Sequence, residues 1–162
     1  MGQNDNSPTP GAVLFACNYN RVRSPMAEAL LRRVAGDRIF VDSCGLKEES
    51  GEGVIDPFVE TVMAELGCNM ARHHPKSFAQ LQDDSFDLVI SLTPEAQHHA
   101  VELTRGRAVQ IEYWPIFDPT LADGTRESRL AAYREVRDAL ATRIAERFAQ
   151  PVKMRRPIDP ER

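Results

Sequence analysis

The chain has 162 residues, 42% of them hydrophobic, with 20 Lys and Arg against 24 Asp and Glu. This length and composition predict one domain around a single core. The formal net charge of -4 argues against a nucleic-acid partner, because binding a phosphate backbone needs a concentrated basic surface. Three cysteines without paired spacing favour a reducing cytoplasm over a disulfide scaffold. The sequence shows neither an apolar leader nor a long apolar run, so we predict no membrane association.

Both ends of the chain are polar and rich in proline. Residues 1–11 are MGQNDNSPTPG, and residues 150–162 carry three prolines among charged side chains. Segments of this composition bury little apolar surface. We therefore predict a disordered N-terminal tail at 1–11, a domain at 12–149 and a C-terminal tail at 150–162.

Strand and helix patterns alternate between the two tails. Short runs rich in β-branched and aromatic residues predict strands at 12–17, 39–44, 86–92 and 108–114. Apolar spacing of three and four predicts helices at 25–36, 56–67, 94–106 and 127–148. The acidic stretch 47–56 predicts a solvated loop. Such alternation predicts a doubly wound parallel α/β sheet, whose ligand crevice lies beyond the C-terminal ends of the strands.

The first predicted strand ends at Cys17, and the next helix begins near Ser24 and Pro25. Free backbone N–H groups and the dipole at the start of this helix would create an anion site. These groups and the Arg23 guanidinium favour the nucleophilic thiolate of Cys17, and the planar guanidinium can bond two phosphate oxygens at once. Cys-x5-Arg is a weak pattern by itself, and the alternative is that Cys17 is a small buried residue at a strand end.

Longer segments around and after the Cys-x5-Arg pattern resemble those of a known family. The segment CNYNRVRSPMAE (17–28) closely resembles the phosphate-binding loop and first helix of the low-molecular-weight protein tyrosine phosphatases, a superfamily that includes arsenate reductases. VDSCG (41–45), IDPFVETVMAELG (55–67) and RHHPKSF (72–78) resemble later segments of the same family. The resemblance spans residues 12–149 and implies one four-stranded parallel sheet in the order 2-1-3-4, with helices on both faces. It implies a phosphate-binding loop of seven residues: Asn18, Tyr19, Asn20, Arg21, Val22, Arg23 and Ser24.

The same resemblance assigns supporting and catalytic roles. Asn20 stands at the family's asparagine in a left-handed turn, which the hydroxyls of Ser24 and Ser43 and the imidazole of His73 would hold. Asp118 lies in an Asp-Pro pair after the fourth strand, where the family has its general acid. The alternative for Asp118 is that Asp-Pro simply begins a turn, as it can elsewhere in this chain. The implied reaction passes through a phosphocysteine at Cys17 and needs no metal or cofactor.

The chain also departs from the family pattern. Tyr19 replaces a glycine, Val22 a second cysteine and Thr93 an acidic residue of the histidine network, while Glu49 and the pair Thr120-Leu121 replace aromatic residues at the pocket mouth. These changes weaken the expectation of phosphotyrosine specificity more than that of phosphate chemistry.

Three alternatives stay open at this point. One is a module that binds phosphate or a phosphoprotein with little or no catalysis. Another is an arsenate reductase, which is disfavoured because residues 91–99 contain no further cysteine for a thiol relay. Glu95 and His99, four apart on a predicted helix, suggest a metal site, but no third ligand has suitable spacing. The favoured partner is a phosphorylated small molecule or phosphoprotein substrate.

Overall fold

A computed structural model describes residues 9–47, 53–82 and 85–149. The predicted tails lie outside these residues, apart from positions 9–11. Residues 48–52 of the predicted surface loop, including Glu49, also lie outside them.

The sheet confirms the predicted topology. Its strands are β1 (Ala12–Cys17), β2 (Phe40–Gly45), β3 (Leu88–Ser91) and β4 (Gln110–Tyr113). All neighbours pair in parallel, in the order β2-β1-β3-β4. Strands β3 and β4 are shorter than the apolar runs that predicted them, and Phe86 and Trp114 lie buried beyond the paired segments.

Four helices follow the strands: α1 (Arg23–Ala35), α2 (Pro57–Ala64), α3 (Pro94–Thr104) and α4 (Arg126–Phe148). Helix α1 begins two residues earlier than the sequence predicted, so that Arg23 belongs to its first turn. Helix α2 ends three residues earlier than predicted, since the chain tightens there into turns in which Leu66 N–H bonds Met63 O and Gly67 N–H bonds Ala64 O. None of the helices in the described ranges is long and apolar enough to cross a membrane.

Helices cover both faces of the sheet. Alternate residues of β1 point in opposite directions, as the pleat requires. Phe15 packs in the larger core with helices α1, α2 and α4, whereas Leu14 and Ala16 pack in a smaller core with α3. Trp114 lies in the larger core, where its ring contacts the rings of Phe15 and Phe148. Trp114 is therefore a packing residue, as expected for an aromatic side chain at a strand end.

Candidate active site

The loop between β1 and α1 folds around the Cys17 thiol at the C-terminal edge of the sheet. Cys17 is 3% exposed, and its Sγ lies 2.8 Å from Ser24 Oγ. Asn20 adopts φ 59°, and among the described residues no other non-glycine residue has a positive φ. This left-handed step reverses the chain within a few residues, which brings Ser24 back to the thiol.

The Asn20 side chain ties the loop to three other segments. Its Nδ2 donates to Ser24 Oγ and Ser43 Oγ, both at 2.8 Å. Its Oδ1 accepts from Lys76 N–H at 3.1 Å and lies 3.1 Å from His73 Nε2. The three partners that the sequence suggested for Asn20 thus all contact it, and the Lys76 amide is an addition.

His73 supports this turn as a neutral donor. Its Nε2 faces two acceptors, the backbone O and the side-chain Oδ1 of Asn20, at 3.2 and 3.1 Å. A nitrogen between two acceptors carries the hydrogen. Burial lowers the pKa of His73 to about 4, so that the ring is uncharged at neutral pH.

Glu28 is buried beside the loop, and the sequence predicted no role for it. Its Oε1 accepts from Ser43 Oγ at 2.8 Å, and its Oε2 lies 3.0 Å from Arg32 Nη1. Burial raises the pKa of the Glu28 carboxyl. The PMAE motif contained a signal that could have identified Glu28. This acid follows Ser24 by four residues and so lies on the same face of α1.

Gly45 lets the end of β2 approach the loop. A Cβ at this position would lie 2.7 Å from the carbonyl carbon of Tyr19 and 2.8 Å from the nitrogen of Asn20. Beyond it, Leu46 N–H donates to Cys17 O and Asn18 O, and Lys47 N–H also donates to Asn18 O. The glycine in VDSCG therefore has a steric role, because any larger residue would displace the loop that follows Cys17.

The remaining loop side chains are exposed or contact neighbouring elements. Tyr19 is 45% exposed, and Val22 is buried in the larger core. Arg21 Nε donates to Val54 O at 2.9 Å. Asn18 Oδ1 accepts from Thr93 Oγ1 at 2.8 Å. Thr93 thus contacts the loop itself, at the position where the family resemblance implies an acidic residue of the histidine network.

Arg23 joins the loop to the segment that carries the candidate acid. Its Nη1 donates to Ile116 O at 2.9 Å, and its Nη2 lies 3.9 Å from Asp118 Oδ2. The other oxygen of Asp118 accepts from the N–H and hydroxyl of Thr120, at 2.9 and 2.6 Å. Asp118 therefore begins a turn, as the alternative interpretation proposed, and it also has an oxygen on the side of Arg23.

Asp56 shows how a second Asp-Pro pair differs. Its Oδ1 accepts from Phe58 N–H and caps α2, while its Oδ2 accepts from Tyr133 Oη at 2.8 Å. Both oxygens are thus engaged in structural contacts. Asp56 and Asp118 therefore differ in their tertiary contacts, which the Asp-Pro dipeptide does not encode.

The metal alternative has no support in the described part of the chain. No three His, Cys, Asp or Glu side chains converge there. His99 instead packs its ring 4.5 Å from that of Phe78. The Cys44 side chain lies in the core on the α3 side of the sheet, whereas Cys17 packs in the core on the opposite face. Burial and the neighbouring Cys17 raise the pKa of Cys44. Cys68 lies after α2 and is half-buried.

The fold agrees with comparisons to known proteins. A sequence model of the family described as low molecular weight phosphotyrosine protein phosphatase matches residues 12–156. The chain therefore belongs to this family, which includes phosphatases and arsenate reductases.

Individual relatives show both activities in their names. An arsenate reductase of Bacillus subtilis is 29% identical over 141 residues, which cover 87% of this chain and 96% of the relative. A low molecular weight protein-tyrosine-phosphatase of Streptomyces coelicolor is 34% identical over 122 residues, covering 69% of this chain and 72% of the relative. The solved arginine phosphatase of Geobacillus stearothermophilus superimposes with a TM-score of 0.68 at 26% identity, covering 83% of this chain and 88% of that one.

Proposed function

We propose that the protein is a metal-independent phosphomonoester hydrolase, with Cys17 as nucleophile, Arg23 as phosphate clamp and Asp118 as general acid and base. One observation carries the proposal: Arg23 begins α1 beside the Cys17 loop and reaches to 3.9 Å from Asp118 Oδ2. A phosphoryl group over the thiol would therefore have the guanidinium on one side and a carboxyl group within reach of its leaving oxygen.

In the first step the Cys17 thiolate attacks phosphorus as the bond to the leaving oxygen breaks. Protonated Asp118 gives its proton to that oxygen, which avoids release of an unstable alkoxide or phenoxide. Arg23 and the loop N–H groups, including those of Tyr19, Arg21 and Val22, bind the three phosphoryl oxygens. Ser24 Oγ, 2.8 Å from Sγ, can donate to the thiolate before attack.

In the second step water attacks the phosphocysteine. Asp118, now a carboxylate, takes a proton from the water, the S–P bond breaks and the electron pair returns to Cys17. Inorganic phosphate leaves, and Ser24 again supports the thiolate as leaving group. Both steps are proton and group transfers without any net redox change.

The names of several curated relatives favour arsenate reduction as a second candidate. Reducing arsenate to arsenite consumes two electrons, which a pair of thiols supplies by forming a disulfide. In the described residues, Cys44 faces the α3-side core and Cys68 lies beyond α2. This arrangement favours hydrolysis over an internal thiol relay.

The exposed residues at the mouth bear on substrate choice. Tyr19 in the loop and Phe117 directly before Asp118 are 45% and 52% exposed. Aromatic side chains there can stack on an aryl leaving group, a contact worth about 1 kcal/mol. We therefore expect aryl phosphates, including phosphotyrosine in a protein, to be preferred over alkyl phosphates.

The deciding experiment is hydrolysis of p-nitrophenyl phosphate in the presence of a chelator, with Cys17→Ser as the control. Turnover that depends on Cys17 supports the proposal, and its absence rejects it. Phosphate binding by calorimetry without turnover would instead indicate a binding module. Arsenate-dependent consumption of thiols by wild type, lost in Cys17→Ser, would indicate the reductase. Phosphotyrosine, phosphoserine and phosphoarginine then separate the substrate classes.

A further inference from the structure

A pocket with several charged side chains in its wall lies next to the segment that contains His73. It has a volume of about 700 Å³ and is formed by α1, β2 and the segment 66–76 after α2. His73 belongs to both sites, because its Nε2 contacts Asn20 while its ring lines this pocket. We call this cavity the basic pocket, because four permanently charged cations line it: Arg32, Arg33, Arg72 and Lys76.

The acids in the basic pocket neutralise two of these four cations. Lys76 Nζ lies 2.6 Å from Asp42 Oδ1, and Arg32 Nη1 lies 3.0 Å from Glu28 Oε2. Among the ion pairs of the described residues, none joins a carboxylate to Arg33 or Arg72.

Their local contacts leave these two charges available. Arg33 Nη1 donates to Leu66 O at 2.9 Å, a contact that orients the guanidinium without neutralising it. Arg72 makes no ion pair within the described part of the chain. The pocket therefore combines the unmatched positive charge of two exposed arginines with donors suited to carboxylate or phosphate oxygens.

Two sets of contacts connect the basic pocket with the catalytic loop. Glu28, on the pocket wall, accepts from Ser43 Oγ, which in turn accepts from Asn20 Nδ2. His73 provides the second connection through its direct contacts with Asn20. An anion that competes with Glu28 for Arg32 would disturb the acceptor that holds Ser43, and hence the turn at Asn20.

We propose that the basic pocket is a second anion-binding site, for a small molecule that carries at least two negative charges as carboxylate or phosphate groups. Its occupation weakens phosphate binding at the catalytic loop, both through these contacts and through charge repulsion. The site does not depend on turnover at Cys17, so failure of the proposed hydrolase activity would leave it unaffected.

The test measures binding of citrate and of pyrophosphate by calorimetry. The variant Arg33→Gln/Arg72→Gln removes the two unmatched charges, and Arg105→Gln/Arg143→Gln removes two charges from surfaces outside the pocket. For at least one of the probes we expect a loss of about 100-fold in affinity in the first variant, and less than about twofold in the control. Equal affinity of both probes for wild type and the first variant overturns the proposal.

The two probes also separate the chemical classes of ligand. Pyrophosphate can bind the catalytic loop as well, so only the binding that Arg33→Gln/Arg72→Gln removes counts for the pocket. A larger loss for citrate identifies a polycarboxylate site, and a larger loss for pyrophosphate identifies a site for phosphorylated ligands.

Cys68 offers a second measurement that is independent of catalysis, because this half-buried residue lines the pocket. The probe that binds there should slow alkylation of Cys68 by iodoacetamide in wild type and leave it unchanged in Arg33→Gln/Arg72→Gln, as followed by peptide mass spectrometry. Absence of protection in wild type overturns the proposal. The same saturating probe should also lower phosphate affinity at the catalytic loop, and an unchanged affinity overturns the coupling between the sites.

Discussion

The floor and the rim of the candidate active site are built in opposite ways. On the floor, Asn20, Ser24 and Ser43 are fully buried and bonded to one another. On the rim, Tyr19, Phe117 and Leu121 are 45%, 52% and 77% exposed. A buried network has one low-energy arrangement, because each unmatched group would be costly. Exposed side chains carry no such constraint, so the rim can change substrate preference without disturbing the phosphate site.

The strongest test of the floor is Cys17→Ser. We expect turnover of p-nitrophenyl phosphate to fall at least about 1,000-fold, because a hydroxyl is a much weaker nucleophile than a thiolate. Phosphate affinity by calorimetry should remain, since Arg23 and the loop N–H groups are unchanged. Cys68→Ser is the matched control and should keep its turnover. Comparable activity in both variants would contradict the role of Cys17.

Asp118→Asn tests the proposed general acid, which lies between the floor and the rim of the site. We expect kcat to fall by about 100-fold or more, the usual contribution of a general acid. The loss should be larger for phenyl phosphate than for p-nitrophenyl phosphate, because the poorer leaving group needs the proton more. Asp123→Asn, five residues on and exposed, is the control. An equal loss for both substrates would argue against proton donation by Asp118.

Acidification should destabilise the folded protein through His73, which contacts Asn20 in the floor of the site. The folded-state pKa of His73, about 4, lies below its ordinary value of 6.5, so the unfolded chain binds more protons between these two values. The free energy of unfolding should therefore decrease as the pH falls through this window, by about 2–3 kcal/mol from this group.

Glu28 has the opposite effect, because its raised pKa makes the folded state bind more protons and stabilises it at lower pH. Urea titrations of wild type and His73→Gln across this window isolate the histidine, since Glu28 is present in both proteins. Parallel stability curves for the two proteins would refute the role of His73.

Asn20 allows the hydrogen bonds of the floor to be separated from its backbone strain. Asn20→Ala loses the side-chain contacts and keeps a Cβ in the left-handed region without the local hydrogen bonding that lets Asn adopt it, for an expected destabilisation of about 2–3 kcal/mol. Asn20→Gly loses the same contacts without the strain and should be about 1 kcal/mol more stable than the alanine variant. Urea unfolding measures the stability of the two variants. Equal free energies of unfolding would show that backbone strain at Asn20 does not contribute.

The smallest effects are expected at the rim. Tyr19→Ala and Phe117→Ala should each raise KM for aryl phosphates by about fivefold, the value of one aromatic contact, with kcat nearly constant. KM for an alkyl phosphate should not change. A large fall in kcat would mean that the rim supports the chemistry as well.

Some elements of this protein could be predicted from local sequence alone. The apolar run before Cys17, the spacing of Arg23 and the helix opened at Ser24-Pro25 indicated the strand, loop and helix that the structure contains. These features depend on neighbouring residues, so periodicity and capping preferences are sufficient. The early start of α1 and the early end of α2 were missed, because helix boundaries depend on turn contacts that have little sequence signal.

Long-range contacts were accessible only where a family resemblance supplied them. Asn20, Ser43 and His73 have no pattern that would unite them, and the resemblance alone brought them together in advance. Glu28 was missed, although its spacing from Ser24 placed it on the correct face of α1. The basic pocket was missed as well, because its cations come from separate segments that meet only when α1, β2 and residues 66–76 pack together.

The sequence by itself determined the α/β class and the position of the loop between Cys17 and the first helix, since both follow from local periodicity and from residue types in one short segment. Tertiary structure decided which Asp-Pro carboxylate faces Arg23. The N–H of Asp56 bonds Arg21 O in the loop, but both of its carboxylate oxygens accept from Phe58 N–H and Tyr133 Oη, whereas Asp118 Oδ2 lies 3.9 Å from Arg23 Nη2. Contacts over such sequence distances depend on how helices and strands pack, and a dipeptide carries no record of that packing.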